Sequence, residues 1–291
     1  MFADHVVPFV FESLPVRGEL IYLSRAWRRM LADHDYDAIV RRTLGEAAAA
    51  TGLIAQSLKF DGSVTLQIQG RGDLRMLVMQ CTDELELRGL AAPAPEVTAR
   101  SFDELMQDAH CAITIDRGDR PYQGIVEVNR ESFAASLENY FSRSVQVPSH
   151  IALVSNDDLS GGLLLQQMPG QGMADDDWRR LGLLAATLSS SDFLADDATS
   201  APALELIGKL FNEDDVRVFK GRPVVFRCRC SRRRAEDVLR MLGPAEVRAA
   251  LAEQARLEVT CEYCGRRRHF DAVDASRLFA DNVVPGPSRP Q

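Results

Sequence analysis

Two cysteine pairs, Cys228-Arg229-Cys230 and Cys261-Glu262-Tyr263-Cys264, stand near the end of this 291-residue chain with 30 residues between them. No other feature restricts the fold as much. Two close thiol pairs joined by one stretch of a few tens of residues are what a single tetrahedral Zn2+ requires, because each pair fills two corners and the intervening chain closes the site. Four thiolates complete the coordination shell, so the pattern argues for a structural or switching metal and against a catalytic one, which keeps a position open. His269 is a possible substitute ligand but reads better as a strand residue in Arg268-His269-Phe270-Asp271. The single-residue spacing of the first pair is unusual for zinc, and the second has the spacing of exchangeable dithiols. Metal binding and disulfide formation are therefore alternative states of the same four sulfurs. Cys81 and Cys111 stand alone in strand-like runs and read as small buried hydrophobes.

Charge separates the metal-binding end from the rest. Residues 1–216 carry a net charge of -15 and residues 217–291 carry +7, which together give the overall -8. Arg227, Arg229, Arg232, Arg233, Arg234, Arg266, Arg267 and Arg268 surround the cysteines in sequence and offset the charge of a four-thiolate site. Between the pairs, Ser231–Leu242 and Pro244–Ala255 read as two helices broken at Gly243, with Ser231 as N-cap and Pro244 at the first helical position. Leu257–Thr260 reads as a short strand. A unit of this size is too small to be stable without the metal.

Upstream, helical spacing runs from about Arg28 to Ala50 and is expected to end before Thr51-Gly52. Alternating runs over 64–69, 74–81 and 84–89 predict an antiparallel meander, and strands are expected at 111–116, 122–128, 151–155 and 162–167. Helices are expected at 132–144 and 175–190. Strands grouped with strands, and helices set between the groups, predict an α+β fold. Residues 189–203 have linker composition. Pro202–Phe211 could form a short helix, but Gly208 inside it costs up to about 1 kcal/mol relative to alanine, so it needs a neighbour to dock on. The expected division is an antiparallel-sheet and helix core over 1–192, a metastable helical linker over 193–225 and a zinc-binding redox-switch unit over 226–291.

At 46% apolar and 26% charged residues, the chain has ordinary globular composition. No apolar run reaches the 18 or so residues of a membrane span, and Met1-Phe2-Ala3-Asp4-His5 has no signal-like character, so a cytoplasmic location and no membrane partner are expected. No nucleophile–base arrangement stands out, so no enzyme activity is expected.

The chain resembles the 33 kDa chaperonin family of redox-regulated heat-shock holdases. The resemblance rests on Phe226-Arg227-Cys228-Arg229-Cys230-Ser231, Glu258-Val259-Thr260-Cys261-Glu262-Tyr263-Cys264 and Phe270-Asp271-Ala272-Val273-Asp274. It also rests on Tyr122-Gln123-Gly124-Ile125-Val126, Gly161-Gly162-Leu163-Leu164-Leu165-Gln166 and Asn212-Glu213-Asp214-Asp215-Val216-Arg217. It covers nearly the whole chain, with departures at Val145, Arg233 and Ala255. The resemblance implies that Cys228, Cys230, Cys261 and Cys264 bind one zinc ion in a reduced, inactive form. It further implies that oxidation forms Cys228–Cys230 and Cys261–Cys264 disulfides, releases the metal and unfolds the linker. The exposed apolar surface then binds unfolding client proteins without ATP, and the oxidised form is a homodimer. Two other classes fit the residues alone. A zinc-ribbon nucleic-acid binder would use the +7 tail and show salt-dependent affinity, although no nucleic acid is expected here; a thiol oxidoreductase would turn over disulfides at Cys261 and Cys264.

Overall fold

A 20-residue helix whose buried positions run almost all round it organises the larger part of the computed structural model, which describes residues 4–58, 61–118, 121–170, 172–193 and 202–280. The chain opens with β1 (His5–Phe11), β2 (Val16–Leu23), the short helix α1 (Arg25–Leu31) and then this central helix, α2 (Ala38–Ser57). The meander follows as β3 (Ser63–Gln69), β4 (Leu74–Thr82) and β5 (Glu86–Pro93). Next come α3 (Phe102–Leu105), β6 (His110–Asp116), β7 (Tyr122–Val126), α4 (Phe133–Tyr140), β8 (Ser149–Ser155), β9 (Ser160–Gln167) and α5 (Asp175–Ala186). The remainder is α6 (Pro202–Leu210), β10 (Val216–Val218), β11 (Arg222–Pro223), β12 (Val225–Phe226), α7 (Arg232–Leu242), α8 (Pro244–Glu253), β13 (Leu257–Thr260), β14 (Arg267–Phe270) and α9 (Ala272–Ala280). The chain divides into two compact units, Met1–Arg227 and Cys228–Gln291.

In the first unit two six-stranded sheets lie against α2. One has the order β10-β1-β2-β9-β8 with β11 also on β1; the other has the order β12-β5-β4-β3-β6-β7. Every pairing is antiparallel except β12 on β5. The fold is therefore α+β, as the grouping of strands indicates. Because α2 touches both sheets, it is apolar nearly all round and built from small residues, with Ala47 to Ala50 all buried. The helix does not stop before Thr51-Gly52, as the sequence suggests. Thr51 Oγ1 donates to the Ala47 carbonyl inside the helix, and a Cβ at Gly52 would lie 2.4 Å from Ile21 Cδ1 of β2. Gly52 is thus present for close helix-on-sheet approach. The helix expected from Arg28 is in fact two, α1 and α2, separated at 32–37. The expected helix over 132–144 is α-helical to Tyr140 and ends in a π turn over Phe141–Val145, with Gln146 at φ 58°.

The opposite face of the first sheet carries a second apolar cluster. Phe9, Phe11, Leu20 and Leu163 of the strands meet Leu181 and Ala185 of α5 and Leu206, Ile207 and Phe211 at and after α6. Phe211 packs edge-on to Phe11 at 5.1 Å between ring centroids. The docking partner that α6 requires is therefore this sheet face. Residues 194–201 of the segment expected as linker lie outside the described residues, as does Asp119 of the expected Gly118-Asp119 turn.

In the second unit α7, α8 and α9 pack around the β13–β14 hairpin. Ser231 Oγ accepts from Arg234 N at the start of α7, and Pro244 opens α8, both where the sequence places them. Among the described residues its core comprises six buried side chains: Ala235, Leu239, Val247, Phe270, Ala275 and Leu278.

Candidate metal centre

Each cysteine pair is set by a local backbone device. Cys261 and Cys264 occupy the turn of the β13–β14 hairpin, where Cys261 N donates to Arg266 O (3.0 Å) and Gly265 N donates to Cys261 O (2.8 Å). Gly265 has φ 61°, the left-handed region that a β-carbon disfavours, so the turn calls for glycine there. Cys228 and Cys230 lie immediately before the Ser231 cap of α7, and Arg234 Nη1 donates to Arg229 O across that entry (2.9 Å). The cap and the hairpin turn bring the two pairs face to face.

The four sulfurs lie within 4.8 Å of one another. Across the pairs, the Cys228 and Cys261 sulfurs lie 3.6 Å apart and the Cys230 and Cys264 sulfurs 3.5 Å apart. A tetrahedron with Zn–S bonds of about 2.3 Å has S···S edges of about 3.8 Å, so the cluster has the dimensions of a Zn–S4 site. The separations are far above the 2.05 Å or so of a disulfide, and none of the four cysteines is disulfide-bonded. Cys264 is buried and the other three are half-buried. The donor set thus fits a closed, soft-ligand cation site.

The thiols differ in acidity. Burial, with hydrogen bonds that the Cys228 thiol donates to the other sulfurs, pushes Cys228 up to about 12. Burial also raises Cys264. At Cys230 burial works in the same direction, but hydrogen bonds from Cys264, Cys228, Cys261 and Arg268 outweigh it and hold this thiol below its ordinary value. One sulfur of the cluster is thereby favoured as a thiolate.

The arginine shell is narrower than the sequence suggests. Arg268 hydrogen-bonds the Cys230 sulfur through its side chain, and Arg266 hydrogen-bonds the Cys264 sulfur through its backbone. Arg232 pairs with Glu236 and Asp274 and lies over the Phe270 ring, Arg267 pairs with Glu258, and Arg227 pairs with Glu86 in the first unit. Of these carboxylate partners only Glu236 lies on the same element as its arginine; Asp274, Glu258 and Glu86 sit on other elements, which proximity in sequence does not reveal. His269 lies 3.7 Å from Glu258 and is outside the sulfur cluster. Cys81 and Cys111 are fully buried in β4 and β6, where burial pushes both thiols to about 12, as suits inert core residues.

Comparison with known proteins agrees with this arrangement. The family model described as Hsp33 protein matches residues 4–271. The chain belongs to the Hsp33 family. Among curated members, the 33 kDa chaperonin of Nitrosococcus oceani is 43% identical over 281 residues, 96% of each chain. That of Methylobacillus flagellatus is 41% identical over 290 residues, 98% of this chain and 97% of its own. The crystal structure of the 33 kDa chaperonin from Thermotoga maritima shares the fold with a TM-score of 0.78 at 21% identity, covering 96% of this chain and 99% of that one. The Hsp33 family is one of chaperones and not of enzymes, and this member carries four cysteines placed to hold a metal ion. Among the described residues no helix is long and apolar enough to cross a membrane.

Proposed function

We propose that this chain is a redox-regulated, ATP-independent holdase whose reduced form is silent and whose oxidised form binds unfolding proteins. The observation that carries the reading is the convergence of Cys228, Cys230, Cys261 and Cys264 in a unit whose apolar core, among the described residues, comprises six buried side chains. In the reduced chain these four side chains hold one Zn2+ as thiolates. Bound there, the cation supplies the cross-link that the small core lacks, since structural zinc contributes folding free energy directly.

On oxidation each pair of thiolates gives two electrons to one molecule of peroxide, which takes up two protons from solvent and becomes two waters, and an S–S bond forms. Disulfide sulfurs carry no thiolate charge and no longer hold the cation. The pairing we adopt, Cys228–Cys230 and Cys261–Cys264, follows the family resemblance. Peptide mapping of the oxidised chain tests it: the two within-pair disulfides are expected, and a Cys228–Cys261 link, whose sulfurs lie 3.6 Å apart here, overturns the assignment.

The division into a core over 1–192, a releasable linker over 193–225 and a switch unit over 226–291 belongs to the same proposal, as do a cytoplasmic location and a homodimer in the oxidised state. Unfolded or partly unfolded polypeptides are the partners. Nucleic acid is not among them, since Arg232, Arg240 and Arg267 of the basic tail are engaged by carboxylates. The deciding experiment is light scattering from a thermally unfolding client, with the chain zinc-loaded and reduced in one sample and treated with peroxide and warmth in another. Suppression after oxidation alone is expected. Equal behaviour in both samples overturns the switch.

A further inference from the structure

The motif Asn212-Glu213-Asp214-Asp215-Val216-Arg217 follows α6 directly, and nothing in the metal chemistry accounts for it. In the structure it forms the turn that seats α6. Asp214 N donates to Phe211 O (3.0 Å), Glu12 N donates to Asp215 O (2.9 Å), and Val216 begins the β10 pairing with β1. Across this turn Arg180 of α5 reaches Asp214 with both terminal nitrogens, Nη2 to Oδ1 at 2.6 Å and Nη1 to Oδ2 at 2.9 Å. The Asp214 side chain is only 10% exposed, and Arg180 is 37% exposed.

This pair differs in kind from its neighbour. Arg217 and Glu12 also pair on the same segment, at 2.9 Å, but their side chains are 61% and 40% exposed. Exposed pairs contribute little, whereas this bidentate pair shields the Asp214 carboxylate, which without Arg180 is left largely out of water and unpaired. The apolar part of the α6 attachment is small: Leu206 and Ile207 buried on a helix of nine residues interrupted by Gly208, Ala203 and Leu210 half-buried beside them, and Phe211 just after it.

We propose that Arg180–Asp214 is the latch that holds α6 on the sheet, and that its strength sets how readily the 202–218 segment is released. Its regulatory meaning rests on the reading of 193–225 as the releasable linker. Arg180 and Asp214 are positioning residues: they touch neither the sulfurs nor a client.

The test uses the full, zinc-loaded, reduced chain and its Arg180→Met, Asp214→Asn and double variants, with amide hydrogen exchange over 204–211 as the first readout. Each single variant should exchange about ten-fold faster or more there, with the amides of β3 and β4 unchanged, and the double should be no faster than the faster single. Arg217→Ala should stay within about three-fold of wild type. Single-variant rates within about two-fold of wild type, or effects that multiply in the double, overturn the latch. The second readout is client aggregation, where reduced Asp214→Asn should suppress without oxidant. Faster exchange with no suppression, while oxidised wild type suppresses, overturns the gating role. Failure of oxidised wild type to suppress defeats the holdase reading, and the exchange ratios still judge the latch.

Discussion

The two units of this chain are held together by different physics. The first buries α2 between two six-stranded sheets, with fully buried side chains as large as Trp27, Phe9 and Phe133. The second, among its described residues, has a core cluster of six buried side chains, two of them alanines, and leaves Met241, Leu242 and Val273 more than half exposed. Burial is roughly proportional to the apolar area removed from water, so the first unit needs nothing beyond its own core. The second can offset the conformational entropy of ordering its helices only with a cross-link at the sulfurs. On the proposed function, redox chemistry in the poorly packed unit would let a four-electron event decide whether that unit folds, while the well-packed unit persists.

Metal removal is the largest effect this contrast predicts. Structural zinc contributes about 10 kcal/mol or more of apparent folding free energy, well beyond what six buried side chains supply. Chelation of the reduced chain should therefore erase the dispersed amide signals of 228–280 and leave those of the first unit in place. Retention of the second unit's signals without metal would break the comparison, and so would loss of both sets together. Cys264→Ser should reproduce the chelated spectrum.

The converse perturbation is next in size. Trp27 is fully buried, and its Nε1–H donates to the Asn156 carbonyl at 2.8 Å. Trp27→Ala should cost the first unit about 3–5 kcal/mol, read as a lowered denaturant midpoint. Zinc affinity of the second unit should not change. A matching loss of zinc affinity would show that the units do not stand independently.

How far the sequence alone reaches follows the same division. The metal centre was legible because its ligands are cysteines with close spacing, and cap and breaker residues such as Ser231, Gly243 and Pro244 marked the helices around it. The meander of β3 to β5 was legible through its alternation. What escaped depends on partners distant along the chain. Nothing in Ala47-Ala48-Ala49-Ala50-Thr51-Gly52 announces a helix lying between two sheets, since Gly52 makes sense only against Ile21. β1 and β2 went unread, and β12 is two residues long and pairs parallel to β5, a contact that no local pattern encodes. The arginines looked like a shell for the thiolates because carboxylates from other helices and strands are invisible until the chain is folded.

Within the first unit one buried charge sharpens the contrast further. Glu19 on β2 has Oε2 buried without a hydrogen-bond partner, and burial, opposed by Arg17, pushes its pKa from 4.5 to about 8. A folded-state value above the unfolded one means that the stability linked to the protonated carboxyl is complete below about pH 4.5 and is lost as pH rises to about 8. Glu19→Gln should remove this slope and stabilise the first unit at pH 8 by on the order of 3 kcal/mol. The check is the denaturant midpoint at pH 5 and pH 8. A pH dependence identical in the variant would place the titrating group elsewhere.

The smallest effect concerns the element of the first unit that least resembles the rest of it. α6 is short, its interior holds Gly208, and a β-carbon there would meet nothing within 4 Å. Gly208→Ala therefore adds no clash, and removing the glycine's backbone freedom should stabilise the helix by about 0.5–1 kcal/mol. If α6 is the part of the well-packed unit designed to leave it, this gain should raise the temperature at which the oxidised chain begins to suppress client aggregation, with the oxidant dose for zinc release unchanged. The two readouts separate the linker from the metal centre. A shift in zinc release would tie Gly208 to the second unit, and an unchanged onset temperature would mean that α6 does not limit release. The sign also runs opposite to that expected of Asp214→Asn, so the pair of variants brackets the hold on α6 from both sides.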